Sequence, residues 1–319
     1  MRKAFTLIEL IVTMVILGIV AYVATGLIAK TYISYNRVNT LHKANLKVEI
    51  ALNNIANRLS YAIGGTIVKV KSATESDIAP IEIAPQNYQV LEWVGYDVDG
   101  FIANSSFVNP MKSAWSGFCD IQNSTKVKIK SPGSDLNFAK EIINNLSKGK
   151  VNNLKKSAIF FPGNYNYNNI GYANTTGGTD GVNIVKFSNV DDTFTLYNIT
   201  PAKRITEHYK LAWSAYAVVP AKQPTNKLDN PCKNVNNTSE ADCSSETPCN
   251  LCLKYNFRPW RGKQYDNSRV PYSILATNVT VFKTFAVENR VHIKLCVKEQ
   301  IGVGVNNSTS ICKEKVVFR

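Results

Sequence analysis

Four cysteines in the last third of the chain have a spacing that suits either metal binding or cross-linking. Cys232, Cys243, Cys249 and Cys252 are separated by ten, five and two residues. Four thiolates can close a tetrahedral zinc site. Structural zinc sites often contain two close Cys-x-x-Cys pairs, however, and here only one such pair is present. Two disulfides that hold a long loop are the alternative, and their connectivity stays open at this point.

The remaining three cysteines lie apart from this group. Cys296 and Cys312 are placed symmetrically about Gly304, in a stretch that has strand-like residues on both sides of a Gly/Asn/Ser turn. Residues at symmetric positions of a hairpin lie opposite each other, and such a pair can be close enough for a disulfide. We therefore predict a Cys296–Cys312 disulfide and assign the unpaired thiol to Cys119.

A basic and aromatic segment follows Cys252. Residues 254–265 interleave four cations with four aromatic side chains. Cations can neutralise phosphates and exposed aromatic rings can stack on bases, so the segment is a candidate nucleic-acid-binding surface. The alternative is a strand edge whose aromatic rings lie in the core and whose cations are solvated. The candidate binding residues are Lys254, Arg258, Trp260, Arg261 and Lys263.

Acidic pairs and histidines give weaker signals. Asp97 with Asp99, and Asp191 with Asp192, could contribute to a calcium site, but neither pair has the spacing of an EF-hand loop and solvated turn acids are the simpler interpretation. Calcium is the one cofactor that the sequence leaves open. The three histidines are scattered, and no nucleophile motif, phosphate-binding loop or dinucleotide fingerprint is present, so nothing indicates an enzyme.

The elements that position these residues begin with an apolar segment, residues 5–29, which contains one carboxylate, Glu9. About twenty apolar residues cross a bilayer, and the segment is longer than the apolar part of a secretory signal. Arg2 and Lys3 precede it, and the positive-inside rule keeps such residues in the cytoplasm. Everything after Lys30 is therefore expected on the far side of the membrane, where an oxidising compartment favours disulfides.

The residues Lys3-Ala-Phe-Thr-Leu-Ile-Glu9 resemble the processing and methylation site of type IV pilins and type II secretion pseudopilins. The resemblance implies that a prepilin peptidase cuts between Ala4 and Phe5, and that Phe5 becomes the methylated N-terminus of a mature protein that keeps the apolar helix. It also implies that Glu9 pairs with the N-terminal amine of a neighbouring subunit. The family usually has glycine before the cut, and the small residue Ala4 stands there instead, which could slow processing.

A single long helix is predicted from Phe5 to about Ile63. No proline occurs before Pro80, and the apolar positions after the membrane segment recur at spacings of three and four, as on one face of a helix. Gly64 and Gly65 supply the stop signal. The predicted buried face consists of Val38, Leu41, Val48, Leu52, Ile55, Leu59 and Ala62, with Asn45 in its one polar slot. The predicted polar face carries Arg37, Lys43, Lys47, Asn54 and Arg58.

Short runs rich in Val, Ile, Tyr, Phe and Thr follow the helix and predict a mainly antiparallel sheet, so the fold class is α+β. The runs are residues 66–71, 81–84, 88–98, 182–187, 194–199, 209–219, 273–286, 291–297 and 311–318. The predicted organisation is a leader (1–4), a membrane-spanning half-helix (5–29), an amphipathic half-helix (30–63) and an exported head (64–319). Two insertions are predicted, at about 100–180, with a short helix from Leu136 to Leu146, and at about 220–253.

The composition fits a protein that has a real core and a basic surface. The chain has 319 residues, of which 45% are hydrophobic, and a formal net charge of +14. Such a charge suits polyanions, including nucleic acid and acidic lipids, although a merely basic surface is an equal alternative.

The three closing strand-like runs and the final Val-Phe-Arg resemble the larger minor members of the pilin family, the J-type pseudopilins and W-type minor pilins. This resemblance implies a single-pass protein of the bacterial inner membrane with a periplasmic head. It would assemble through its helix with other subunits, at or near the tip of a type II secretion pseudopilus or type IV pilus. The alternative is a DNA- or surface-binding minor pilin of a competence or adhesion system.

Overall fold

The computed structural model describes residues 6–71, 77–105, 111–172, 180–190, 192–197, 204–224, 231–232, 243–301 and 308–318, with only the backbone of 187–190. The predicted leader, Phe5 and Asp191 therefore lie outside the described residues. Within these ranges the chain forms one long helix packed on a large curled antiparallel sheet, which confirms the predicted α+β class.

Helix α1 runs from Leu7 to Leu59, with Thr6 as its N-cap and Ser60 as its C-cap. It ends four residues before the predicted stop because the next residues bond to the sheet. The Ile63 amide donates to the Val94 carbonyl, and the Tyr96 amide donates to the Tyr61 carbonyl. These bonds take up backbone groups that a longer helix would use internally.

The main sheet has eight antiparallel strands in the order β15-β14-β13-β12-β11-β3-β1-β2. The strands are β1 (Val68–Val70), β2 (Ile78–Pro80), β3 (Val90–Gly95), β11 (Ser214–Lys222), β12 (Cys249–Phe257), β13 (Tyr272–Val287), β14 (Arg290–Gln300) and β15 (Ser308–Phe318). The three longest strands, β13 to β15, are neighbours at one edge, and α1 packs mainly on them.

The half of α1 that packs on the sheet begins at Ala44, the first buried residue of the helix. The predicted buried positions from Val48 to Ala62 are buried, but Val38 is 62% exposed, which corrects the prediction for that residue. Lys47, predicted on the polar face, is half-buried because its ammonium pairs with Glu299. The buried residues of α1 are Ala44, Val48, Ala51, Leu52, Ile55, Ala56 and Leu59.

A second sheet is built from the chain between β3 and β11, two strands that are neighbours in the main sheet. Its strand order is β10-β7-β8-β9-β6. The strands are β6 (Lys128–Lys130), β7 (Ala158–Phe160), β8 (Asn183–Val190), β9 (Thr193–Leu196) and β10 (Lys210–Ala212). The same part of the chain contains a small β4 (Asn104–Ser105) and β5 (Lys112–Ser113) ladder, α2 (Val98–Ile102) and α3 (Leu136–Leu146). The predicted bounds of α3 are confirmed, and Asp135 caps it by accepting from the Phe138 amide.

The second sheet packs on the face of the main sheet opposite α1. Successive strand residues point to opposite faces. Trp93 and Val218 lie in the core with α1, whereas their neighbours Val94 and Val219 lie in a core with Phe160 of the second sheet. The predicted strands 182–187 and 194–199 correspond to β8 and β9 of this second sheet as far as the described residues extend.

Strand β12 was missed by sequence reasoning, which placed an irregular segment up to residue 253. Its side chains are divided between the two faces, with Leu251 and Leu253 in the α1 core and Phe257 in the opposite core. A strand that is buried on both faces has no alternation of apolar and polar residues. The Cys-x-x-Cys spacing and the cations in this segment are typical of a loop, so the sequence did not indicate a strand.

Candidate assembly site

The N-terminus of α1 is closed by a capping box between Thr6 and Glu9. The Glu9 amide donates to Thr6 Oγ1 at 3.4 Å, and the Thr6 amide donates to Glu9 Oε2 at 3.2 Å. The Thr6 hydroxyl also donates to Glu9 Oε2, at 3.0 Å. Such a box satisfies backbone donors that the first helical turn leaves free. Glu9 thus has a partner in its own chain, and both bonds that its carboxylate accepts end on Oε2.

The first half of α1 is covered by no other described part of the chain. Leu7 is 78% exposed and Tyr22 is 82% exposed. Helix α1 is the one helix in the described residues that is long and apolar enough, by length and composition, to cross a membrane. The hydroxyls of Thr13 and Thr25 each donate to a carbonyl of the preceding turn at 2.9 Å. Because these polar groups are satisfied within the helix, its surface suits lipid or a neighbouring helix.

Residues 1–24 match the family model described as the prokaryotic N-terminal methylation motif. This motif is the signature of type IV pilins and pseudopilins. The chain therefore carries the pilin-type N-terminal motif. Comparison with curated proteins and with solved structures found no significant match. The pilin signature covers the predicted cleavage position between Ala4 and Phe5 as well as Glu9, and cleavage there stays a prediction.

Helix α1 is joined to the head by polar contacts with β13, β14 and β15. The Lys47 ammonium pairs with Glu299 at the end of β14 and donates to Thr277 Oγ1 on β13 at 3.1 Å. On β15, Lys313 pairs with Glu49 at 2.8 Å. These contacts flank the apolar stripe, so the packed half of the helix is held by both a core and its polar margins.

The structure divides six of the seven cysteines among three disulfides, Cys232–Cys252, Cys243–Cys249 and Cys296–Cys312. The four closely spaced cysteines thus form two separate pairs and do not converge on a zinc ion. In the described residues no group of three or more His, Cys, Asp or Glu side chains could hold a metal ion. Cys119 is free and buried.

The basic and aromatic segment does not form an exposed stacking surface. Trp260 is 1% exposed and its indole donates to the Lys156 carbonyl at 2.8 Å. Lys254 is 5% exposed and donates to the Cys232 carbonyl at 3.1 Å, and burial lowers the pKa of its ammonium. The Trp260 ring is packed in the core and the Lys254 ammonium is bonded to a backbone carbonyl, so neither presents a free group to a nucleic acid, which corrects the prediction for both. Arg258 is buried as well, while Arg261 and Lys263 are exposed.

Among the described residues, the predicted calcium ligands do not form a metal-binding group. Asp97 is buried, and its carboxylate accepts from the indoles of Trp115 at 3.1 Å and Trp213 at 3.3 Å. Burial raises the pKa of Asp97 to about 6, although these hydrogen bonds act in the opposite direction. Asp99 is exposed, and Asp192 lies in another part of the fold, next to β9. Asp97 is therefore an internal hydrogen-bond acceptor between two tryptophans.

Proposed function

We propose that the chain is a minor pilin or pseudopilin subunit that acts at or near the tip of a type II secretion pseudopilus or type IV pilus. A prepilin peptidase would cut between Ala4 and Phe5. Residues 5–29 would hold the subunit in the bacterial inner membrane, with its head in the periplasm, until assembly. The observation that carries the proposal is the methylation motif at the start of a helix whose apolar half is exposed and whose second half packs on a β-rich head.

The tip position is supported by the size and placement of the second sheet. This sheet covers part of the face of the main sheet opposite α1, so around β3 and β11 both faces of the main sheet are covered by the chain itself. A subunit that repeats along a shaft must accept close neighbours on all sides. The additional volume of the second sheet is easier to accommodate at the end of a fibre, where one side of the subunit has no neighbour.

Glu9 can be tested separately as a cap and as an assembly contact. In Glu9→Gln the side chain keeps an oxygen that can accept from the Thr6 amide, but the charge is lost. In the matched control Thr6→Val the charge is kept and the hydroxyl of the capping box is lost. If Glu9 pairs with a neighbouring amine, Glu9→Gln abolishes incorporation into fibres while Thr6→Val retains it. Equal incorporation of both variants would contradict the intersubunit role.

Processing and position need two further measurements in the native host. Mass spectrometry of the N-terminal peptide is expected to show a methylated Phe5, and Ala4→Gly is expected to speed its appearance. Immunogold labelling of an epitope in the second sheet is expected at one end of isolated fibres. Labelling along the whole shaft would exclude the tip position, and an N-terminus at Met1 in mature fibres would exclude pilin-type processing.

A further inference from the structure

Four cations from two distant parts of the sequence meet where β12 ends. Arg258, Arg261 and Lys263 lie on one tight turn, in which the Arg258 carbonyl accepts from the Arg261 amide at 2.9 Å and from the Lys263 amide at 3.2 Å. Lys156 reaches the same place from the loop before β7, because its carbonyl accepts the Trp260 indole proton at 2.8 Å. These hydrogen bonds thus place the backbones of the four basic residues in one neighbourhood.

Arg258 is the unusual member, because its guanidinium is buried and no described residue provides a counterion. The side chain is 3% exposed, its Nε has no hydrogen-bond partner, and its Nη1 donates to Asn256 Oδ1 at a long 3.4 Å. A guanidinium is practically always charged and has five N–H donors. Buried charges in proteins are normally paired. Within the described part of the chain, Arg258 therefore lacks the charged partner that its burial calls for.

The neighbours of Arg258 add further positive charge to this site. Burial lowers the pKa of Arg258, and the charge of Arg261 lowers it further. The pKa of Lys156 is lowered by burial and then by the charges of Arg258, Lys263, Arg261 and Lys155. Across the described residues, no carboxylate forms an ion pair with any of the four clustered cations. A partly buried cluster of positive charges is stabilised by a bound anion, because opposite charges attract more strongly away from bulk water.

We propose that Lys156, Arg258, Arg261 and Lys263 form a binding site for one compact tetrahedral oxyanion, a phosphate or sulfate group. A guanidinium fork together with ammonium groups matches the oxygens of such a group. The neighbouring aromatic rings argue against a nucleic-acid strand as the ligand, because Trp260 and Tyr265 are buried and cannot stack on bases. Lys156 has a backbone φ of 82°, a conformation that is costly for a residue other than glycine and is typical of functional loops.

Binding can be tested on the full chain in a non-ionic detergent, with inorganic phosphate as the probe and sodium chloride at equal ionic strength as the reference. Phosphate is expected to raise the melting temperature more than chloride does. Lys156→Gln/Lys263→Gln is expected to weaken phosphate binding by about tenfold, equivalent to about 1.4 kcal/mol, because two cationic donors are removed. The matched control Lys126→Gln/Arg269→Gln removes two exposed charges elsewhere and is expected to leave binding unchanged.

Arg258→Gln distinguishes a ligand-binding arginine from a structural one. Without phosphate, this variant is expected to melt no lower than the parent, because an unpaired buried charge is removed, and it is expected to lose the stabilisation by phosphate. Equal phosphate effects in the parent and in Lys156→Gln/Lys263→Gln would overturn the proposal, whatever the folding of Arg258→Gln.

Sulfate and a short single-stranded oligonucleotide serve as further probes. Sulfate is expected to act as phosphate does. A chain of net charge +14 is expected to bind an oligonucleotide non-specifically. Lys156→Gln/Lys263→Gln and the control double variant should then weaken this binding equally. Oligonucleotide binding that depends on Lys156 and Lys263, in the absence of any phosphate effect, would reassign the cluster to nucleic acid and reject the compact anion.

Discussion

The ammonium of Lys313 on β15 lies 2.8 Å from the carboxylate of Glu49 on α1. Two residues further along the strand, Lys315 bonds to Asn53, which is four residues further along the helix. Two strand residues advance by about 6.6 Å and four helix residues by about 6 Å. Strand β15 therefore runs in the same direction as α1, and successive contacts advance by nearly the same distance along both. These contacts connect the helix directly to the edge of the head.

The Lys313–Glu49 pair predicts a small stability difference that depends on pH. The hydrogen bond from Lys313 lowers the pKa of Glu49 below its ordinary value of 4.5, so the contribution is present above that value and is lost as the pH falls through the lower folded-state pKa. Glu49→Gln should slightly lower the melting temperature at pH 7 and match the parent at pH 3. Glu141→Gln, on the exposed side of α3, is the control and should show no such convergence.

Removal of the Cys296–Cys312 disulfide should destabilise the head more than removal of Cys243–Cys249. The bonded cysteines are 16 and 6 residues apart, respectively. In the loop-entropy model, replacing each pair by alanine costs about 3 kcal/mol for Cys296–Cys312 and about 2 kcal/mol for Cys243–Cys249. Denaturant unfolding of the two double variants measures the difference. The reverse order of stability would contradict the entropic account.

Asp97 predicts a pH dependence of stability that is opposite in sign to that of the Lys313–Glu49 pair. Its folded-state pKa is raised from 3.8 to about 6, so its stabilising contribution is complete below pH 3.8 and is lost as the pH rises through about 6. A change of this size corresponds to about 3 kcal/mol between the two limits. Unfolding measured between pH 4 and pH 7 should be less pH-dependent in Asp97→Asn than in the parent. An unchanged pH profile would show that the carboxyl is ionised throughout.

The single free thiol gives a direct check on the disulfide pattern. Cys119 is buried, its Sγ lies 3.5 Å from Ser124 Oγ, and burial raises the pKa of its thiol. A thiol reagent should label no cysteine in the native full chain and one cysteine per chain after denaturation without reductant. Labelling of two or more cysteines under the second condition would show that a disulfide is missing. Cys119→Ala should abolish the signal.

Local features of the sequence were sufficient to predict several secondary-structure elements. The uninterrupted apolar run and the absence of proline predicted α1, and the short helix predicted from Leu136 to Leu146 is α3 with its observed bounds. These signals depend on neighbouring residues in the chain, so no tertiary information is needed. The start of α1 packing at Ala44, and not at Val38, was not predictable in this way, because it depends on how far the sheet extends along the helix.

The sequence by itself determined the methylation motif, the apolar helix that carries it and the β-rich character of the head, because each is a pattern of residues close together in the chain. Only the tertiary structure decided that Cys252 pairs with Cys232, that the chain between β3 and β11 forms a second sheet, and that Lys156 joins Arg258. The physical reason is distance along the chain. The disulfide joins residues 20 positions apart and the Trp260–Lys156 hydrogen bond joins residues 104 positions apart, and whether such contacts form depends on how the two cores pack against the main sheet.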